Sequence, residues 1–221
     1  MTLREALRTR LCGGLLLSAL LVLLPACNSG SGSSASREAL PNYGEVPPFE
    51  LVDQAGSAFG SEALAGKVWA AGFIFTRCPS ICPVLTALMH EVEEKSTAHG
   101  TAFRLVSFSV DPAYDTPEVL TAYATSHNAD LARWSFLTGP PGAVEETVVG
   151  GMKISMGRPT VEDPITDFDS VFHGTKALLI DQKMQIRGYY ALEDRGGFGR
   201  LPAVDQLIVD AEFLMAEGPG S

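Results

Sequence analysis

The residues best able to do chemistry lie in Phe73-Ile-Phe-Thr-Arg-Cys78-Pro-Ser-Ile-Cys82-Pro83. An apolar, β-prone run from Val68 to Phe75 leads into two cysteines, each followed by proline. Proline holds the residue before it in extended conformations, which places Cys78 and Cys82 off a regular helix path. Pro83 suits the first position of a helix, and Leu85, Leu88, Met89 and Val92 recur at helical spacing through Val84 to Lys95. The expected unit is a buried strand, a turn carrying two thiols, and a helix whose N-terminus faces them. The positive end of a helix favours a thiolate, so these cysteines should be more acidic than a free thiol. Such a pair binds a soft metal ion or cycles through a disulfide. A permanent staple is the other reading, but so short a loop removes little chain entropy and would add little stability.

Four histidines are candidates for a third ligand. His90 stands about 12 Å along the helix from Cys82 at the α-helical rise, too far to share an ion with the thiols. His99 and His127 fall near helix ends, where a cation complements the dipole. His173, in Val171-Phe-His-Gly-Thr175, ends a long loop just before a strand. Two thiolates and an imidazole form a soft set suited to Cu(I), and the imidazole also helps to hold Cu(II). Structural zinc would want a fourth protein ligand, and none is evident. The alternative, a histidine satisfied by hydrogen bonds at a loop end, stays open on composition alone.

The elements that must position these residues follow from periodicity and turn chemistry. Phe49 to Asp53 alternates like a short strand, Gln54-Ala-Gly56 reads as a turn, and Ser61-Glu-Ala-Leu as a helical turn. Phe103 to Val110 is a second buried strand, and Thr116 before Pro117 starts a helix over 117–127. Trp134 to Leu137 is a short strand, Pro141 to Gly151 a helix, and Met152 to Val171 a long loop. Thr175 to Asp181 and Gln185 to Tyr190 form a hairpin, and Pro202 to Ala216 a closing helix. This order predicts an α/β, thioredoxin-like single domain, a central mixed sheet flanked by helices. Chemistry in such a sheet sits at the carboxyl ends of the parallel strands, so Cys78 and Asp111 should share one edge. Asp111 is a candidate neighbour of the site, Asp115 and Thr116 are read as helix caps, and Met152 and Met156 as core.

The chain has 221 residues and a net charge of −10. Arg4, Arg8, Arg10 and Glu5 would leave with residues 1–26, taking the charge to −12. So acidic a chain argues against nucleic acid as a partner and fits a basic patch on another protein. Three arginines precede an apolar run of 14 residues, Leu11 to Leu24, too short to span a membrane comfortably but suited to a signal peptide. Leu24-Pro25-Ala26-Cys27 resembles a lipoprotein cleavage site, with Cys27 the lipidated N-terminus; ordinary cleavage or an uncleaved anchor are the alternatives. Cys12 belongs to the leader. The expected organisation is a signal peptide over 1–26, a lipidated N-terminus and Ser/Gly-rich tether over 27–46, and a domain over 47–217, exported and held on the extracytoplasmic side of a bacterial membrane.

Cys-Pro-x-x-Cys-Pro after a buried strand, Asp111-Pro-x-x-Asp-Thr-Pro and a lone histidine before the penultimate strand together resemble the Sco/SenC family over about residues 45–216. The resemblance implies copper held by Cys78, Cys82 and His173, membrane tethering, and a role in maturing the binuclear copper site of cytochrome c oxidase subunit II. Where the family usually carries Asp-His-Ser, this chain has Phe172-His173-Gly174. The leading expectation is therefore a copper metallochaperone. Its rival is a thiol–disulfide oxidoreductase, with Cys78 and Cys82 as a redox pair that reduces the acceptor's copper-binding cysteines and is itself restored by a thioredoxin-like reductant. His173 separates the two, because metal binding needs it and thiol exchange does not. A peroxidase of related fold would need Pro-x-x-x-Thr-x-x-Cys, which is absent.

Overall fold

The strand that carries the thiol turn, β3 (Trp69–Ile74), is buried along its whole length. The computed structural model describes residues 38–101, 103–154, 175–197 and 201–218. Alternate β3 residues, Trp69, Ala71 and Phe73, enter one apolar cluster, while Ala70 and Ile74 enter another on the opposite face. Burial on both faces is why this run reads as continuously apolar rather than alternating. An added Cβ at Gly72 would stand 3.4 Å from Cε of Met89, so the small residues Ala70 and Gly72, on the face the following helix covers, let it lie close to the strand.

That helix is α1 (Ile81–Ala98), followed by β4 (Arg104–Ser109), α2 (Pro117–Ser126) and β5 (Trp134–Leu137). Next, α3 (Pro141–Glu145) widens into a π-helical stretch over Glu146–Gly151. Then come β6 (Lys176–Ile180), β7 (Ile186–Ala191) and α4 (Ala203–Glu217). The sheet order is β5-β4-β3-β6-β7. β3, β4 and β5 are parallel, whereas β6 runs antiparallel to β3 and β7 to β6. This is the expected thioredoxin-like layout, and it sets the ends of β3 and β4, with Cys78 and Asp111 beyond them, at one edge. Side chains of α1, α2 and α4 cover one face; α3 with its π-helical continuation and an N-terminal hairpin cover the other.

The hairpin pairs β1 (Glu50–Val52) with β2 (Ala58–Gly60), a strand the sequence reading did not anticipate. It also closes the edge of the sheet. Val52 and Thr138 exchange backbone hydrogen bonds of 2.9 Å, and Oε1 of Gln54 accepts from the amide of Phe136 at 2.9 Å. A side chain thus stands in for a missing strand and blunts an edge that would otherwise invite pairing.

Residues 40–46, assigned to the tether by the sequence, are instead docked on the domain. The amides of Tyr43 and Val46 donate to the carbonyls of Ile186 and Met184 at 2.9 and 2.8 Å. Arg187 binds the carbonyls of Pro41 and Leu40 at 2.9 and 2.8 Å and Asp181 at 2.8 Å. Asp181, 4% exposed, also accepts from the amides of Lys183 and Gln185. The compact unit accordingly begins at Ala39 rather than at Pro47.

Arg187→Ala would leave a buried carboxylate without its cation and two carbonyls without a donor. Urea unfolding should show a loss of about 3 kcal/mol, and limited proteolysis should open new cuts within residues 39–46.

Candidate functional site

After β3 the chain turns sharply, with the amide of Cys78 donating to the carbonyl of Phe75 at 3.1 Å. Pro79 and Ser80 are exposed, and α1 starts at Ile81, so Cys82 is its second residue and Pro83 its third. The sequence reading had put both cysteines off the helix and its start at Pro83. The difference has a simple cause. Amides of the first helical turn have no acceptor within the helix, so a proline there removes no hydrogen bond. The freed amide of Cys82 donates to Sγ of Cys78 at 3.4 Å. Both thiols are free and buried, Cys78 at 4% and Cys82 at 0% exposure.

Their environments drive them apart. Burial pushes the Cys78 thiol up, but backbone donors at Cys82, Ser80 and Ile81, together with the Cys82 side chain, outweigh it and leave Cys78 below an ordinary thiol. Cys82 is pushed up to about 12, first by burial and then by its neighbours Cys78 and Asp115, against partial relief from a backbone hydrogen bond at Phe75. The two thiols therefore differ in acidity: Cys78 ionises more readily than an ordinary thiol, and Cys82 stays protonated at neutral pH. The helix start stabilises the charge on Cys78, the one of the two with any exposure.

Asp115, read from sequence as a helix cap, has a different role. It is fully buried, and its carboxylate accepts from the amide of Thr76 at 3.1 Å and from the hydroxyls of Thr76 and Ser109. Burial raises its pKa against those three donors. The carboxylate thus ties the thiol turn to the end of β4, and no local pattern would have shown it. Thr116 does cap α2, accepting from the amide of Val119 at 3.4 Å. Asp111 holds Nε of Arg77 at 2.9 Å, so the residue before Cys78 is anchored to the same loop.

The other histidines are engaged elsewhere. His90 pairs with the buried Glu93 at 3.0 Å, His99 with Glu212 at 3.1 Å, and the His127 ring lies 4.4 Å from that of Tyr123. Met152 is core, as expected. His173 and Met156 lie outside the described residues. Among the described residues, no three His, Cys, Asp or Glu side chains are grouped to hold a metal. The register of β6 against β3, Trp69 with Ile180 and Ala71 with Leu178, brings Thr175 back at the end of the sheet where β3 leads to Cys78. A small cleft there is lined by Thr175 together with Leu85 and Thr86, which follow Cys82 on α1.

The SCO1/SenC family model matches residues 37–197. The SCO1 protein homolog of Bacillus subtilis (strain 168) is 36% identical over 160 residues, 72% of this chain and 80% of that protein. The structure of BsSco, a member of the Sco family of cytochrome c oxidase assembly proteins with an identified disulfide switch, matches with a TM-score of 0.66 at 30% identity. The match covers 80% of this chain and 96% of that one. Bradyrhizobium japonicum ScoI with copper bound matches with a TM-score of 0.60 at 23% identity over 77% of this chain and 99% of that one, a likeness of fold.

Two outcomes follow from the electrostatics. Iodoacetamide should modify Cys78 with a rate midpoint below pH 9.0, while Cys82 stays protonated and unreactive until about pH 12, read by peptide mass. Asp115 is raised in the fold, so the native state binds its proton more tightly than the unfolded chain. That contribution is full below its ordinary value of 3.8 and is lost as pH rises through the folded value. The stability of the parent minus that of Asp115→Asn should therefore grow as pH is lowered from neutral, measured by chemical unfolding at each pH.

Proposed function

The chain belongs to the SCO1/SenC family, and from that premise we propose that it is a membrane-tethered copper metallochaperone that helps to assemble the binuclear copper site of cytochrome c oxidase subunit II. The observation that carries this reading is the split thiol pair at the start of α1, with the chain returning to the same sheet end two residues after His173. Cys78, Cys82 and His173 would supply two sulfurs and one nitrogen, a soft set that fits Cu(I) and also accommodates Cu(II). Copper is the cargo here. Both thiols are buried, so delivery would proceed by ligand exchange with an acceptor bound over Cys78.

Each residue has a separable task. Cys78, the more acidic thiol, would capture the ion, and Cys82 would give up its proton on binding. Asp115 fixes the turn through Thr76 and Ser109. Cys27 would bear the lipid, or the leader would stay as an anchor, on the extracytoplasmic side; no described helix is long and apolar enough to cross a membrane.

The same pKa split supports a second reading. A low-pKa Cys78 and a protonated Cys82 are the attacking and resolving thiols of a dithiol reductant. Cys78 would attack an acceptor disulfide, and Cys82 would then displace the acceptor as the intramolecular disulfide forms, passing two electrons to it. A thioredoxin-like protein would restore the dithiol.

Anaerobic titration of the reduced protein with Cu(I) against a competing chelator decides between them. One tight ion per chain is expected, with affinity falling at least about tenfold in both His173→Ala and Cys78→Ala. Unchanged affinity in His173→Ala would remove the histidine from the site and leave the reductase reading.

A further inference from the structure

Cys78 is 4% exposed and Cys82 fully buried, so a reacting partner must bring its own atom down onto Cys78. Whatever flanks that atom lands on the rim of the turn: Arg77, Pro79 and Ser80, the first turn of α1, and the loop after β4. Two large apolar side chains with high exposure lie on that rim, Tyr114 at 47% and Val84 at 48%. Tyr114 is also held in place. The Arg77 guanidinium lies 4.5 Å from the Tyr114 ring centroid while its Nε and Nη2 both bind Oδ2 of Asp111 at 2.9 and 2.5 Å. Asp111 is three residues before Tyr114, so the stack closes on itself and fixes the ring beside the residue that precedes Cys78.

This arrangement neutralises its own charge. Arg77 and Asp111 cancel each other, so among the described residues the rim they form with Tyr114 is uncharged and partly aromatic, on a chain of net charge −10. An ordered tyrosine loses little conformational freedom on docking, and tyrosines of this kind dominate protein interfaces. A small thiol needs none of it.

We propose that Tyr114, held by Arg77, is the docking side chain for a protein dithiol with an uncharged, apolar face around its cysteine, which reduces the Cys78–Cys82 disulfide. This rests on the reading above that the thiols cycle through a disulfide. The partner's thiolate attacks Sγ of Cys78, the Cys78–Cys82 bond breaks, and Cys82 leaves as a thiolate that takes up a proton. The partner's second thiolate then attacks its own sulfur in the mixed disulfide and expels Cys78. Two electrons pass to this chain, and the partner leaves as a disulfide.

The test compares two reductants of the oxidised protein, a thioredoxin kept reduced by its reductase and dithiothreitol, each followed by alkylation and mass analysis. Tyr114→Ala should slow reduction by thioredoxin about 30-fold and reduction by dithiothreitol less than about twofold. Tyr114→Phe keeps the ring and should match the parent with both. Equal slowing with both reductants, or with neither, would overturn the proposal. Cu(I) titration of Tyr114→Ala should match the parent; failure of the parent itself to bind Cu(I) would instead refute the metallochaperone reading and leave the docking result standing.

Discussion

Backbone amides at the start of α1 converge on one sulfur inside an apolar enclosure, and the rest of the site follows from that. A buried charge is costly unless it is hydrogen-bonded. Cys78 meets that condition because Cys82 sits in the first helical turn, where its amide has no other acceptor. Cys82 is driven the other way, first by burial and then by Cys78 and the buried Asp115, with only partial relief from a backbone hydrogen bond at Phe75. The fold therefore separates the two thiols in acidity. Holding the donors in place is the work of the fold: β3 is buried on both faces, the small residues Ala70 and Gly72 admit α1 closely, and Phe75 closes the turn.

Asp115 brings a second constraint from the opposite side. Its hydrogen bonds to Thr76 and Ser109 join the end of β3 to the end of β4, so the thiol turn cannot shift without breaking contacts in a neighbouring strand. Its negative charge also resists a second thiolate at Cys82. The same residue thus supports the geometry and adds to the difference in acidity, although it stands directly before the helix cap Thr116. Arg77 and Asp111 extend the connection outward to the surface loop.

Local signals made much of this legible. Continuous apolar runs gave away β3 and β4, the paired Cys-Pro steps marked the thiol turn, and Thr116-Pro117 marked the start of α2. What stayed hidden depends on partners distant in sequence. Ala58-Phe-Gly60 has no strand pattern of its own and becomes β2 only by pairing with β1. Residues 40–46, with Pro41, Asn42 and Gly44, read as loop, yet they dock because Arg187 reaches back across 146 and 147 positions to their carbonyls. Asp115 sits in a capping pattern, but its acceptor role is set by Thr76, 39 positions away. Cys82 was misplaced because the restriction on the residue before a proline weighs little against the freedom of a first helical turn.

The acidity split also bears on whether such a site could release its cargo as readily as take it up. Empty, the pair keeps the Cys82 proton, because that thiol is pushed up to about 12. Cu(I) held by both sulfurs would take the place of that proton, one monovalent cation for another. At the Cys82 sulfur the buried charge is then unchanged by the exchange, so desolvation, which usually dominates the energetics of buried ions, weighs little on this step in either direction. The balance is then left to bond strengths and to proton concentration, both of which an acceptor's own thiols can match. Cu(II) in place of the same proton would add a further positive charge and break that symmetry. The acidity of Cys82 thus makes proton release part of loading and proton uptake part of release.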